Sequence, residues 1–213
     1  MMLAGAEAVI FDMDGVLWQS DRVHAEAYAR VLTENHLPVV DYATLAGRRT
    51  DQVFRQMLMA RGRLGDEGEV ARLTRQKQAH ALRMLAVHPP IDPDGVEVVR
   101  TLSCRMKVAL ASSASSAGVE LFLRTSGLAQ AFSVVLSGED VRQAKPDPEI
   151  YLLALEKLGV VADRAVVIED SLNGIVAARR AGIAVILKKD SSQRDLSQFG
   201  EVHAVIDHLR DLL

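Results

Sequence analysis

The sequence is short of cysteine, of net charge and of long apolar runs, and each shortage excludes something. Its one thiol, Cys104, has no partner for an internal disulfide. That rules out a disulfide-stapled framework, points to a cytoplasmic setting and leaves Cys104 to be read as a small core thiol. The 25 Lys and Arg stand against 28 Asp and Glu, so no basic field marks a general nucleic-acid binder. No apolar run reaches the ~18 residues that a membrane span needs. Residues 1–10 also lack the charged start and long apolar stretch of a secretory signal. No internal repeat or low-complexity tract appears. No Gly-x-Gly-x-x-Gly follows the first apolar run, which argues against a dinucleotide oxidoreductase. What remains is a soluble globular chain: 49% of its 213 residues are apolar, too many for disorder as the main state.

Short, continuous apolar runs of the kind buried on both faces of a parallel sheet lie at residues 8–11, 106–111, 132–136, 165–168, 183–187 and 202–206. Between them, helical spacing fits 95–102, 117–126, 148–158 and 172–181, with Gly127, Gly159 and Gly182 placed to close helices. The alternation predicts an α/β fold with a doubly wound, mostly parallel sheet. Residues 17–87 break the rhythm: helical periodicity fits 21–35, 50–61 and 66–86, with no buried strand. This predicts an all-helical insertion (17–87) in an α/β core (1–16 and 88–213), bounded by His88-Pro89-Pro90-Ile91-Asp92-Pro93, whose prolines stop any helix. The insertion carries 11 Lys and Arg against 8 Asp and Glu, a mildly basic cover over an acidic core.

In open α/β sheets ligands bind at the carboxyl ends of the strands, near the point where strand order reverses. Asp12 and Asp14 follow the first run, Ser112 and Ser113 the second, and Glu169 and Asp170 the fourth; Lys145 precedes a helix. Several carboxylates at one edge would repel or protonate, and a bound divalent cation removes the conflict. Oxygen-only ligands favour Mg²⁺ over zinc, and Mg²⁺ commonly shares its shell with phosphate.

The segments Phe11-Asp12-Met13-Asp14-Gly15-Val16-Leu17, Leu110-Ala111-Ser112-Ser113-Ala114, Ala144-Lys145-Pro146-Asp147-Pro148-Glu149-Ile150-Tyr151 and Val167-Ile168-Glu169-Asp170-Ser171-Leu172-Asn173-Gly174-Ile175 resemble, in this order, the motifs of the haloacid dehalogenase superfamily of phosphohydrolases. The closest likeness is to the beta-phosphoglucomutase-like branch, with a helical cap after the first strand. The resemblance implies roles. Asp12 is the nucleophile that forms an aspartyl-phosphate. Asp14 is the general acid and then base, with a pKa raised above the ordinary value, and its backbone carbonyl binds the metal. Ser112 bonds the phosphoryl oxygens, and Lys145 pairs with Asp12 and the phosphate. Glu169 and Asp170, with Asp12, hold Mg²⁺. Gly15 permits the turn that aims Asp14 at the site.

In the cap, the resemblance puts His24 at the hinge, Lys77 at the site and the loop Gly47-Arg48-Arg49-Thr50-Asp51 over the substrate's remote end; Ser113 joins these as a substrate contact. The mutase's arginine for a second phosphate aligns with Thr50, which leaves Arg48 or Arg49 to replace it. Trp18-Gln19 replaces the usual small-then-acidic pair, and Trp18 is read as packing under the hinge or else lining the substrate pocket. Together these predict a Mg²⁺-dependent phosphatase of a small phosphorylated metabolite, a sugar phosphate foremost. A sugar phosphomutase is the alternative, and a receiver-like phosphoacceptor module a more distant one. The expected partner is the metabolite alone, with no nucleic acid or membrane, for a cytoplasmic monomer or weak dimer.

Overall fold

The structure is a computed structural model that describes residues 2–63, 66–189 and 196–213. Its centre is strand β1 (Ala8–Phe11), in which every side chain is buried. Strands β2 (Lys107–Ala111), β3 (Val134–Leu136), β4 (Ala165–Glu169), β5 (Ala184–Lys188) and β6 (Ala204–Ile206) complete one sheet in the order β3-β2-β1-β4-β5-β6. Every neighbouring pair is parallel, so the sheet is wholly rather than mostly parallel. The chain winds outward from β1 to β3, then crosses back to β4, which puts the reversal of strand order beside β1.

Helices α1 (Asp21–Glu34), α2 (Thr50–Met59) and α3 (Glu67–Val87) leave and re-enter the chain between β1 and helix α4 (Pro93–Ser103). Helices α5 (Ser116–Ser126), α6 (Glu149–Leu158) and α7 (Leu172–Arg180) follow β2, β3 and β4. Side chains alternate across a strand, and β1 shows what this does: Val9 and Phe11 join α4 and α5 residues on one face, Ala8 and Ile10 join α6 and α7 residues on the other. Helices α1 to α3 pack on one another through a separate cluster that includes Val31, Leu32, Phe54, Leu58 and Leu73. Among the described residues, no helix is long and apolar enough to cross a membrane.

Two local expectations are corrected. Pro93 does not stop a helix but opens α4 at its first turn. There its missing N–H costs nothing, and the Asp92 side chain accepts from the amides of Asp94 (2.9 Å) and Gly95 (3.1 Å). Cys104 is no core thiol: the buried face of α4 runs through Val98, Val99 and Leu102, and Cys104 falls at the exposed C-cap. Trp18 is buried, packs 5.6 Å from the Phe122 ring, bridges Asp14 and Ile91 through its backbone and also borders the cleft that holds Asp12 and Asp14, so both positions read for it are met.

Residues 45–51 of the insertion rest on loops at the carboxyl ends of β2, β3 and β4. Ser113 Oγ donates to the Gly47 carbonyl (3.0 Å) and Asn173 Nδ2 to the Ala46 carbonyl (3.0 Å). Arg49 Nη1 donates to the carbonyls of Gly138 (3.1 Å) and Val141 (3.0 Å). Gly47 makes the close approach possible, since its φ is +73° and a Cβ there would collide with the Ser171 hydroxyl. Gly47→Ala is expected to cost about 1–2 kcal/mol from the left-handed backbone alone. Each kcal/mol should lower the melting temperature by about 2–4 °C in a chain of this size, read by calorimetry. An unchanged melting temperature would show that this contact does not hold the insertion down.

Candidate active site

The carboxyl ends of β1 and β4 carry the acids to one point. Asp12 follows β1 directly, and Glu169 and Asp170 end and follow β4; one carboxylate oxygen from each of the three lies within 4.8 Å of the others. Lys145, from the loop before α6, threads between them with only 1% of its surface exposed. Its ammonium donates to Asp12 Oδ1 (2.6 Å), Glu169 Oε1 (2.8 Å) and the Ala111 carbonyl (3.0 Å), which uses all three of its protons. It also sits 4.8 Å from the Tyr151 ring centroid.

Glu169 is spoken for on both oxygens. Oε1 takes Lys145 and the Tyr151 hydroxyl (2.9 Å); Oε2 takes the amides of Asp170 and Ser171 and the Ser171 hydroxyl, each at 3.0 Å. Such a carboxylate has no lone pair left facing the cleft, so it positions Lys145 and the β4 end. Asp12 and Asp170 are the side chains of the cluster that line the cleft.

The electrostatics say what the cluster is short of. Burial pushes Asp12 well above the ordinary carboxylate range, with Lys145 opposing and Glu169 reinforcing the rise. Burial and then the charges of Glu169 and Asp12 do the same to Asp170. Lys145 rises despite its burial, because Asp12 and Glu169 hold its proton. Glu169 stays low because Lys145 and its hydrogen bonds outweigh its burial. One ammonium among three carboxylates thus leaves Asp12 and Asp170 in want of positive charge, and two oxygen donors at that spacing suit a hard divalent cation.

Asp14 enters the cleft from the turn after β1. Gly15 makes that turn at φ +80°, where a Cβ would strike the Asp170 carboxylate. The Ser20 hydroxyl donates to Asp14 Oδ1, and His24 Nε2 lies 3.1 Å from the same oxygen. Behind His24, Lys77 Nζ is 2.9 Å from Nδ1 and 4.5 Å from the Tyr28 ring centroid. An ammonium can only donate, so a charged Lys77 makes Nδ1 the acceptor and puts the imidazole proton on Nε2, facing Asp14. The upward shift expected for Asp14 is therefore reversed. Burial raises it, but attraction to His24 and the bonds from His24 and Ser20 outweigh burial, and the carboxyl lies below its usual value.

Of the other residues read from the sequence, Ser113 and Arg48 line the same cleft as Asp12, Asp14, His24, Lys77 and Asp170. Ser112 is buried behind it, its hydroxyl accepting from the Ala114 amide (3.0 Å). Arg49 lies outside: it is spent on the Gly138 and Val141 carbonyls and on both oxygens of Asp51 (2.7 and 3.1 Å). Tyr151, Ser171 and Ser20 carry the hydrogen bonding that steadies the cluster, and they were not singled out beforehand. Only Tyr151 and Ser171 stood in the motif segments; nothing in the spacing of Ser20 marks it.

The comparisons match this geometry. The haloacid dehalogenase-like hydrolase family matches residues 6–182. The chain belongs to that family. A phosphorylated-carbohydrates phosphatase of Thermotoga maritima is 35% identical to this hydrolase over 206 residues, 94% of this chain and 88% of its own. Among solved structures, CbbY from Rhodobacter sphaeroides, in complex with phosphate, superposes with a TM-score of 0.82 at 27% identity, covering 97% of this chain and 96% of its own. A beta-phosphoglucomutase from Clostridium difficile shares the fold at a TM-score of 0.83 and 21% identity, covering 98% of this chain and 93% of its own.

Two predictions follow the geometry. Lys145→Met leaves two buried carboxylates without their cation and is expected to lower the unfolding free energy by about 3–5 kcal/mol in urea titrations. A loss below about 1 kcal/mol would mean that Lys145 does not hold the cluster together. Lys77 is pushed down to about 8 by burial, which the Asp14 charge only partly offsets. Its folded pKa lies below the unfolded value of 10.5, so the native state binds fewer protons between about 8 and 10.5 and stability rises with pH across that window. Lys77→Met should abolish that rise, and NMR of the lysine side chains should find one midpoint near 8 in the unmutated chain. A Lys77 midpoint at 10 or above would contradict the assignment.

Proposed function

We propose that this enzyme, a phosphoric monoester hydrolase of its family, removes phosphate from small phosphorylated metabolites, sugar phosphates foremost, through a phosphoryl group carried briefly on Asp12. The observation that carries the reading is the meeting of Asp12 and Asp14 in one cleft, the first backed by Lys145 and the second by His24. Asp12 attacks phosphorus, the bond from phosphorus to the leaving oxygen breaks, and Asp14 gives that oxygen its proton. Water then attacks the aspartyl-phosphate with Asp14 taking its proton, and the bond from phosphorus to Asp12 breaks, which returns the carboxylate. An arriving phosphate dianion raises the proton affinity of Asp14 and so prepares it for the acid step. The arrangement without substrate is that of the base.

Lys145 neutralises Asp12 enough for an anion to approach, and its three bonds fix the carboxylate in place. Asp12 and Asp170, with the Asp14 carbonyl, would hold Mg²⁺, which supplies Lewis-acid stabilisation of the phosphoryl oxygens. Ser113 and Arg48 face the substrate, and residues 17–87 act as a cap that excludes water when closed. The phosphorylated-carbohydrates phosphatase and CbbY, at 35% and 27% identity, support the substrate class. We place the enzyme in the cytoplasm, as a monomer or weak dimer.

Hydrolysis is favoured over isomerisation by the cap loop. Thr50, where a mutase arginine aligns, carries no charge, Arg49 is committed to backbone carbonyls and Asp51, and Arg48 donates to Gln56 (2.6 Å). Asp12→Asn should cut phosphate release from a panel of sugar phosphates by at least 10³-fold, since an amide is a far poorer nucleophile. Chelation by EDTA should do likewise, with recovery on adding Mg²⁺. Retained turnover in the Asn variant would remove Asp12 from its role, and turnover indifferent to chelation would remove the metal.

A further inference from the structure

Two cavities lie between cap and core, and the catalytic one is the smaller. It encloses about 70 Å³, whereas its neighbour encloses about 340 Å³. The two share Gln78, Ser113, Ala114 and Ser115 in their walls, so they adjoin, and the annex lies next to whatever is held at Asp12. Room for anything larger than the transferring phosphate and its first carbons is mainly there.

The chemistry of this annex is polar without being cationic. Arg49 is the one cation in its wall, and each of its three nitrogens already donates, to Asp51, Gly138 and Val141. Asp51 and Glu139 bring two carboxylates. Thr74 lines the annex, with its own hydroxyl buried and without a hydrogen-bond partner behind that wall. Gln78 and Ser115 add an amide and a hydroxyl. Asp51 is paired on both oxygens with Arg49, so a phosphate there would meet the Glu139 carboxylate and no uncommitted cation. A sugar hydroxyl both donates and accepts, and so matches every one of these groups.

We propose that the annex holds the non-transferring end of the substrate, and that this end is uncharged and rich in hydroxyls: a polyol chain or a second sugar ring, not a second phosphate. The inference rests on the phosphatase reading and narrows it to monophosphates with a neutral tail. It separates this chain from the CbbY structure solved with xylulose-1,5-bisphosphate, a neighbour at 27% identity whose ligand carries charge at both ends.

The test compares kcat/KM for glycerol 3-phosphate, glucose 6-phosphate, trehalose 6-phosphate and fructose 1,6-bisphosphate, with p-nitrophenyl phosphate as a reporter of the chemistry alone. Trehalose 6-phosphate should exceed glycerol 3-phosphate by at least tenfold, and the bisphosphate should fall at least tenfold below glucose 6-phosphate. Thr74→Arg places a cation and bulk in the annex, so it should raise the ratio of bisphosphate to glucose 6-phosphate and lower the ratio of trehalose 6-phosphate to glycerol 3-phosphate, each about tenfold. Glu139→Gln, an exposed change, should move the first ratio in the same direction by a few-fold even if Thr74→Arg fails to fold. Bisphosphate handled as well as the monophosphate, no gain with length, or ratios unmoved in a folded variant would overturn the annex. Failure of p-nitrophenyl phosphate to yield phosphate in an Asp12-dependent way would instead overturn the phosphatase reading beneath it.

Discussion

The ammonium of Lys145 is the charge on which the site depends. Parallel strands β1 and β4 are neighbours in the sheet, so the acids at their ends must approach one another however the loops are drawn. Three carboxylates in a buried space are not stable together as anions. Lys145 removes the worst of the conflict by bonding Asp12 and Glu169 at once, and the Ala111 carbonyl takes its last proton. The remaining imbalance, borne by Asp12 and Asp170, faces the cleft. That residual charge is what a hard cation would offset.

Glu169 shows how a residue of a functional motif acts at one remove. Five hydrogen bonds, from Lys145, Tyr151, Ser171 and two backbone amides, anchor it. That anchoring ties the loop before α6 to the end of β4 and fixes where Asp170 begins. Its two oxygens are consumed in doing so. In a low-dielectric surrounding each of these bonds is stronger than it would be in water, and the cost of leaving any one unmade is correspondingly large.

Much of this was legible in the sequence. The continuous apolar runs mark strands within one or two residues of where they lie, and the rule of carboxyl ends points to Asp12, Asp14, Glu169 and Asp170 as neighbours. What was not legible depends on directions that spacing does not encode. Arg48 and Arg49 are adjacent in the chain, yet one lines the cleft and the other latches the loop to the core, because only three-dimensional placement decides which carbonyls a guanidinium can reach. Ser112 and Ser113 divide in the same way, one bonding its own turn and the other the cap. The lowered Asp14 carboxyl was missed for a related reason. Burial alone argues for a rise, and the opposing donors, Ser20 and His24, come from the start of the helical insertion.

That origin ties chemistry to closure. Asp14 belongs to the core strand, but the imidazole beside it belongs to α1 and the lysine behind that to α3. Moving the cap helices away from the sheet would therefore strip Asp14 of partners as well as open the cleft. With Ser20, His24 and Lys77 withdrawn, the carboxyl keeps less of the attraction that lowers it and faces water on the open side. Exposure to water lifts the burial that raises the carboxyl, while loss of His24 and Ser20 removes what lowers it, so the two consequences of opening act on the Asp14 proton in opposite directions. The contacts of Arg49, Ser113 and Asn173 that seat the loop at residues 45–51 thus do more than exclude water: by setting where α1 and α3 rest, they set the affinity of Asp14 for its proton.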